Sequence, residues 1–170
     1  MEKKIFQYPN INETAFSINL LGLHLNVQWY GLSYIAGILL AWFFMAKLVQ
    51  NKDLWLSCKS IIERSEVDDL ITYMIFGIIV GGRLGYCLFY TPGYYFDNPI
   101  KIIFIWEGGM SFHGGFFGVL ISGILFGVRK KISLLSLGDL IAFASPPGLF
   151  FGRIANFING ELWGKPTTST

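Results

Sequence analysis

The chain has 170 residues, 53% hydrophobic, 17% aromatic and only 14% charged, with a formal net charge of +2. Soluble domains carry about 25% charged residues, so this composition argues against an ordinary water-soluble globule and for an integral membrane protein. So small a net charge gives no ground for a nucleic-acid partner.

The first residues do not read as a signal peptide. Lys3 and Lys4 are followed by Gln7, Pro9, Asn10, Asn12 and Glu13 rather than by an apolar core, so insertion is expected through internal hydrophobic segments. In residues 5–28, Phe16, Ile18 and Leu20, then Leu23, Leu25 and Val27, alternate with other residues around Leu21-Gly22. This predicts a short amphipathic hairpin lying against the membrane surface. Residues 29–46 contain no charge and with their flanks reach the roughly 20 residues that cross a bilayer. Residues 47–69 are polar and charged and are expected to be a loop. A second span is predicted over 70–90, interrupted by Arg83 and ended by Thr91-Pro92-Gly93. Residues 94–109 are expected to be re-entrant or to lie on the outer surface. A third span covers 110–128, with His113 near its start and Arg129-Lys130-Lys131 closing it. A fourth covers 134–152, carrying Asp139 and broken by Pro146-Pro147. The expected architecture is an all-α membrane protein. It is a polytopic helical bundle with an N-terminal amphipathic hairpin and a re-entrant outer segment, forming a single integral membrane domain over 1–170.

Positive charge sets the orientation. The 47–69 loop holds Lys47, Lys52, Lys59 and Arg64, and the connection after the third span holds Arg129, Lys130 and Lys131. Both lie on one side if every span crosses once, so that side is expected to be cytoplasmic and the N-terminus outward. Tyr30, Arg83, His113 and Arg153 then fall at similar depth toward the outer face. Gly77, Gly81 and Gly85, and likewise Gly114, Gly118 and Ser122, repeat every four residues, a spacing that lets helix backbones approach.

Charged groups at membrane depth are costly and usually serve a function. Arg83 shares a helical face with Tyr86 and Tyr90; it reads either as part of a ligand site or as a snorkelling side chain. Arg153 sits in Gly152-Arg153-Ile154-Ala155-Asn156-Phe157-Ile158-Asn159-Gly160-Glu161-Leu162-Trp163-Gly164. Its planar fork suits phosphate, with Asn156 three residues on; the alternative is a structural helix cap. Glu161 either pairs with an arginine or orients one. His113 is a candidate general base or a satisfied structural residue. Tyr30, within Trp29-Tyr30, is either a site residue or an interfacial aromatic anchor. Asp139 has the spacing of a capping box with Ser136. Cys58 and Cys87 share no metal-ligand spacing and read as ordinary thiols.

The run from Gly152 to Gly164 resembles the signature of bacterial prolipoprotein diacylglyceryl transferases. It has Gly-Arg, a gap of two, Asn-Phe, an apolar residue, Asn, a gap, Glu, a gap of two and Gly. Phe16-Ser17-Ile18, Trp29-Tyr30-Gly31-Leu32, Gly82-Arg83-Leu84-Gly85-Tyr86 and Gly108-Gly109-Met110-Ser111-Phe112-His113-Gly114-Gly115 are similar to further patterns of that family, so the resemblance covers almost the whole chain.

The resemblance implies transfer of a diacylglyceryl group from phosphatidylglycerol to the lipobox cysteine of a prolipoprotein, giving a thioether and glycerol phosphate. The site would face the periplasmic side of a bacterial inner membrane. It implies that Arg153 binds the lipid phosphate with Asn156 and Glu161, that Arg83 and Tyr30 line the lipid site, and that His113 assists the thiol. The partners would be phosphatidylglycerol, other membrane lipid and the prolipoprotein signal peptide, with no cofactor and no metal. The family also continues past this signature, so the chain is expected to be the N-terminal portion of such an enzyme. The alternatives are an inactive fragment of it, or a small anion-handling transport subunit. The second of these is disfavoured because the cytoplasmic halves of the spans offer little polar beyond Asp139.

Overall fold

A computed structural model describes residues 11–20, 23–55 and 60–161. The expected hairpin turn at Leu21-Gly22, Cys58, and the end of the signature from Leu162 lie outside the described residues. The contacts divide the chain into two compact units: residues 1–41 with 144–170, and residues 42–143.

In the first unit, strands β1 (Thr14–Leu20) and β2 (Leu23–Gln28) form the expected antiparallel hairpin. Ser17 faces Asn26 and Ile18 faces Leu25, and the register shifts between Thr14 and Phe16. The Ser17 hydroxyl donates to Asn26 Oδ1 at 2.9 Å, and the Trp29 amide donates to the Glu13 carbonyl at 3.2 Å. This tie runs the hairpin directly into helix α1 (Trp29–Gln50), placing Tyr30 in the first turn. Among the described residues four helical segments are long and apolar enough to cross a membrane: Trp29–Gln50, Arg64–Phe89, Phe112–Lys130 and Leu134–Ile158. The fold is thus that of an all-α membrane protein, in which apolar side chains such as Leu39, Phe76, Leu88, Ile121 and Leu149 face outward.

The last span is two helices, α5 (Leu134–Ala144) and α6 (Pro146–Ile158). Pro146 and Pro147 have no amide hydrogen to return to the preceding turn, so the helix breaks at Ser145. In the first unit α6 comes close to α1 at paired glycines: a Cβ placed on Gly37 would lie 2.8 Å from Gly148 Cα.

In the second unit, helix α2 (Arg64–Phe89) starts earlier than the 70–90 span and takes in the charged residues assigned to a loop. The Glu63 amide donates to Glu66 Oε2 at 2.9 Å, and the Glu66 amide to the Glu63 carbonyl at 3.0 Å. That reciprocal cap starts the helix in polar sequence, which hydropathy does not detect. Arg64 pairs with Asp68 at 3.2 Å and lies over the Trp42 ring at 4.6 Å, and Trp42 Nε1 donates to Asp68. Helix α4 (Phe112–Lys130) packs on α2 through the two small-residue stripes. A Cβ on Gly81 would lie 2.8 Å from Gly118 Cα, and one on Gly85 2.7 Å from Gly114 Cα. Lys130 reaches back to Glu66 at 2.9 Å and to Asp69 at 3.5 Å. Val67, Leu70, Met74, Phe126 and Leu137 form the buried apolar core of this unit. Between α2 and α4, helix α3 (Pro92–Asp97) and two short 3-10 turns, Pro99–Ile103 and Ile105–Glu107, make up the connecting segment.

Asp139 is not a capping residue. Helix α5 begins at Leu134, and the Ser136 amide donates to the Ser133 hydroxyl at 3.4 Å. The cap therefore lies three residues earlier, and Asp139 is an exposed position inside the helix.

Candidate functional site

The end of α6 brings Asn156 and Glu161 together by local chemistry. Asn159 is the last half-helical residue, and Gly160 follows with φ +65°. The Gly160 amide donates to the Phe157 carbonyl at 3.2 Å, and the Glu161 amide to the Asn156 carbonyl at 2.8 Å. This is the Schellman termination, which places glycine at the left-handed position because a Cβ is disfavoured there. It folds Glu161 back over the last helical turn. The Tyr30 hydroxyl, carried on α1, donates to Glu161 Oε2 at 2.9 Å and also lies against Asn156 Oδ1.

One phenol has one proton, so it cannot donate to both oxygens. Amide oxygen and nitrogen are interchangeable in assignment. The consistent arrangement has Asn156 donating its amide N–H to the Tyr30 oxygen while the Tyr30 hydroxyl donates to Glu161. Arg153, one turn before Asn156, is exposed, and among the described residues its guanidinium makes no hydrogen bond or ion pair. Asn159 Oδ1 is buried without a donor among the described residues.

The second unit handles its arginine in the opposite way. Arg83 is 3% exposed. Its Nε donates to the Ile102 carbonyl at 2.9 Å. One terminal nitrogen donates to Gly108 and, at 3.2 Å, to Gly109; the other donates to Lys101 at 2.7 Å and Phe104 at 3.1 Å. Tyr95 lies under the guanidinium at 5.2 Å. A guanidinium has five N–H donors, and each has a backbone carbonyl. Arg83 therefore neither snorkels nor, in this arrangement, offers a donor to a phosphate. Tyr86 and Tyr90 stack on each other at 5.3 Å, and Tyr86 covers Gly109.

His113 is the second residue of α4. Ser111 caps the helix by accepting from the Gly114 amide at 3.1 Å, and the Ser111 amide donates to the Gly82 carbonyl at 2.9 Å. The His113 side chain is exposed and meets Phe112 edge-on at 5.8 Å. Of the residues expected to form a site, Tyr30, Asn156 and Glu161 are joined by hydrogen bonds in the first unit, with Arg153 on the same helix. Arg83 and His113 belong to the second unit. The Gly108–Ser111 segment, met in the sequence only as a motif, emerges as the element holding the start of α4. Its partners are the Arg83 guanidinium and the Gly82 carbonyl, and the backbone groups involved carry no sequence signal. Cys87 is a free, buried thiol. Among the described residues no three His, Cys, Asp or Glu side chains are grouped to hold a metal ion.

A family model described as prolipoprotein diacylglyceryl transferase matches residues 16–170. Three similar curated proteins are each named phosphatidylglycerol–prolipoprotein diacylglyceryl transferase. One from Roseobacter denitrificans is 46% identical over 160 residues, covering 94% of this chain and 54% of that protein. One from Cereibacter sphaeroides is 48% identical over 161 residues, covering 95% and 79%. One from Rickettsia bellii is 50% identical over 163 residues, covering 96% and 58%. The chain thus spans little more than half the length of the first and third of these relatives, and a larger share of the second.

Proposed function

The chain belongs to the prolipoprotein diacylglyceryl transferase family, and on that premise we propose that it carries the phosphatidylglycerol-handling part of a diacylglyceryl transfer to a prolipoprotein. The reading treats residues 1–170 as one integral membrane domain of a bacterial inner membrane, with the N-terminus and the end of α6 toward the periplasmic side.

In the proposed reaction the thiolate of the lipobox cysteine, at the end of the prolipoprotein signal peptide, attacks the glyceryl carbon bonded to the phosphate oxygen. The new bond is a carbon–sulfur thioether, the carbon–oxygen bond breaks, and glycerol phosphate leaves with the electron pair. The thiol proton passes to a base, for which His113 is the candidate. Negative charge grows on the departing phosphate, and a fixed cation in a water-poor site stabilises it. Arg153 is assigned that role. Asn156 supplies an amide toward the headgroup, Glu161 orients through Tyr30, and Tyr30 lines the lipid site. Arg83 is left out of the headgroup contacts because its donors are already occupied.

The observation that carries this reading is the contrast between the two arginines. The guanidinium of Arg153 has no acceptor among the described residues, one helical turn from the Tyr30–Asn156–Glu161 cluster. The test supplies membranes containing the chain with labelled phosphatidylglycerol and a lipobox peptide. Thioether product is expected, and Arg153→Ala should lower its rate by about a hundredfold or more, as removal of one transition-state donor does. Undiminished product in that variant sinks the role of Arg153. No product from the unaltered chain would favour the inactive-fragment reading.

A further inference from the structure

We infer that Arg83 is a positioning residue: its guanidinium gathers the carbonyls of residues 101–109 and thereby fixes the approach to α4 on which His113 sits. The assignment of a catalytic consequence to this clamp rests on the reading of His113 given above; the clamp itself does not. Five carbonyls, from Lys101, Ile102, Phe104, Gly108 and Gly109, converge on one buried side chain. The segment they belong to has little apolar packing of its own, with only Ile102 and Phe104 among its large apolar residues half-buried. Ile100, Ile103 and Trp106 are 69%, 65% and 75% exposed, and Trp106 stacks on Phe104 of the same segment at 5.1 Å.

The clamp continues without a break into the helix start. Gly108 and Gly109 both have φ +83°, and a Cβ on Gly109 would fall 2.5 Å from the Tyr86 ring. Two residues on, the Ser111 amide is tied to the Gly82 carbonyl next to Arg83 in the chain, and the buried Ser111 caps the helix whose second residue is His113. Both ends of Gly108–Ser111 are thus fastened to adjacent residues of α2. The task requires arginine rather than any cation. A lysine ammonium is a compact point charge with three donors and cannot span five acceptors arranged around a planar fork.

The test compares the unaltered chain with Arg83→Lys and with Gly109→Ala, which strikes the same clamp without removing a charge. In detergent or nanodiscs, hydrogen exchange of residues 99–114 should accelerate roughly tenfold or more in both variants while the interior of α2 stays protected. The rate and pH profile of His113 modification by diethyl pyrocarbonate, read on its peptide, should change in both. In the transfer reaction the variants should lower kcat with little change in KM for phosphatidylglycerol. Unchanged exchange together with an unchanged His113 profile overturns the inference. So does a raised KM with kcat retained, the pattern of a headgroup ligand. If the unaltered chain makes no product, the transferase reading fails while exchange and His113 labelling still decide the clamp.

Discussion

Arg83 and Arg153 carry the same group in helices of apolar sequence, yet one is buried among backbone acceptors and the other is exposed with none among the described residues. A cation at membrane depth needs its solvation replaced, and the fold does this for Arg83 with five carbonyls. Tyr30 is the complementary case, an uncharged hydroxyl that joins two signature residues. Tyr30→Phe keeps the ring and removes the hydrogen bond. Because Glu161 is exposed and regains water, the stability cost should be only about 1 kcal/mol. Transfer should still fall roughly tenfold through lost positioning, and an unchanged turnover would remove Tyr30 from the site. Lys101 offers a pH prediction. Its ammonium donates to Glu107 at 2.6 Å, and that bond raises its pKa above the ordinary 10.5. The Lys101 side of the pair's contribution to holding the segment between α2 and α4 is therefore full below pH 10.5 and is lost as pH rises through the higher folded value. Proteolysis at exposed sites in 99–107 should accelerate only above that range, and Glu107→Gln should flatten the rise. Acceleration near neutral pH would contradict the pairing.

At the scale of elements, the chain uses glycine where helices must touch and where they must stop. The α2 and α4 stripes meet backbone to backbone, so a larger residue has nowhere to go. Gly81→Leu should destabilise by about 1–3 kcal/mol through forced separation. Ile121→Leu on the outward face of α4 should stay within about 0.5 kcal/mol. Unfolding midpoints in mixed detergent check both, and an unaffected Gly81→Leu would disprove close packing. Helix ends follow the same local logic. Gly160 takes a positive φ and returns Glu161 toward Tyr30. At the end of α4 a lysine, Lys131, adopts φ +56° instead, and the Ile132 amide closes on the Gly127 carbonyl at 2.9 Å. Boundaries read from hydropathy were least accurate where such caps act, because α2 begins in charged sequence that a capping pair makes helical.

For the whole molecule, the charge asymmetry predicts which way the spans run. In a background lacking the native cysteines, Asp97→Cys should be labelled from outside intact cells by an impermeant thiol reagent. Ile132→Cys should react only after the membrane is opened, and the reverse pattern would invert the orientation. The long apolar helices, the hairpin strands, the helix break at Pro146-Pro147 and the glycine stripes were all legible in the chain, because each rests on local composition or on a spacing of a few residues. The signature from Gly152 also revealed the family and its candidate residues. The roles of individual side chains were not legible. Arg83 and Arg153 look alike in sequence, and Asp139 mimics a cap that Ser133 provides. Sequence by itself determined an all-α membrane protein with polar residues in its helices, since hydropathy and periodicity are properties of the chain. Only the tertiary structure decided that Arg83 holds the segment between α2 and α4 and that Tyr30 binds Asn156 and Glu161. Those partners are backbone carbonyls about 20 residues away and side chains more than 120 residues away, brought within hydrogen-bond distance by folding alone.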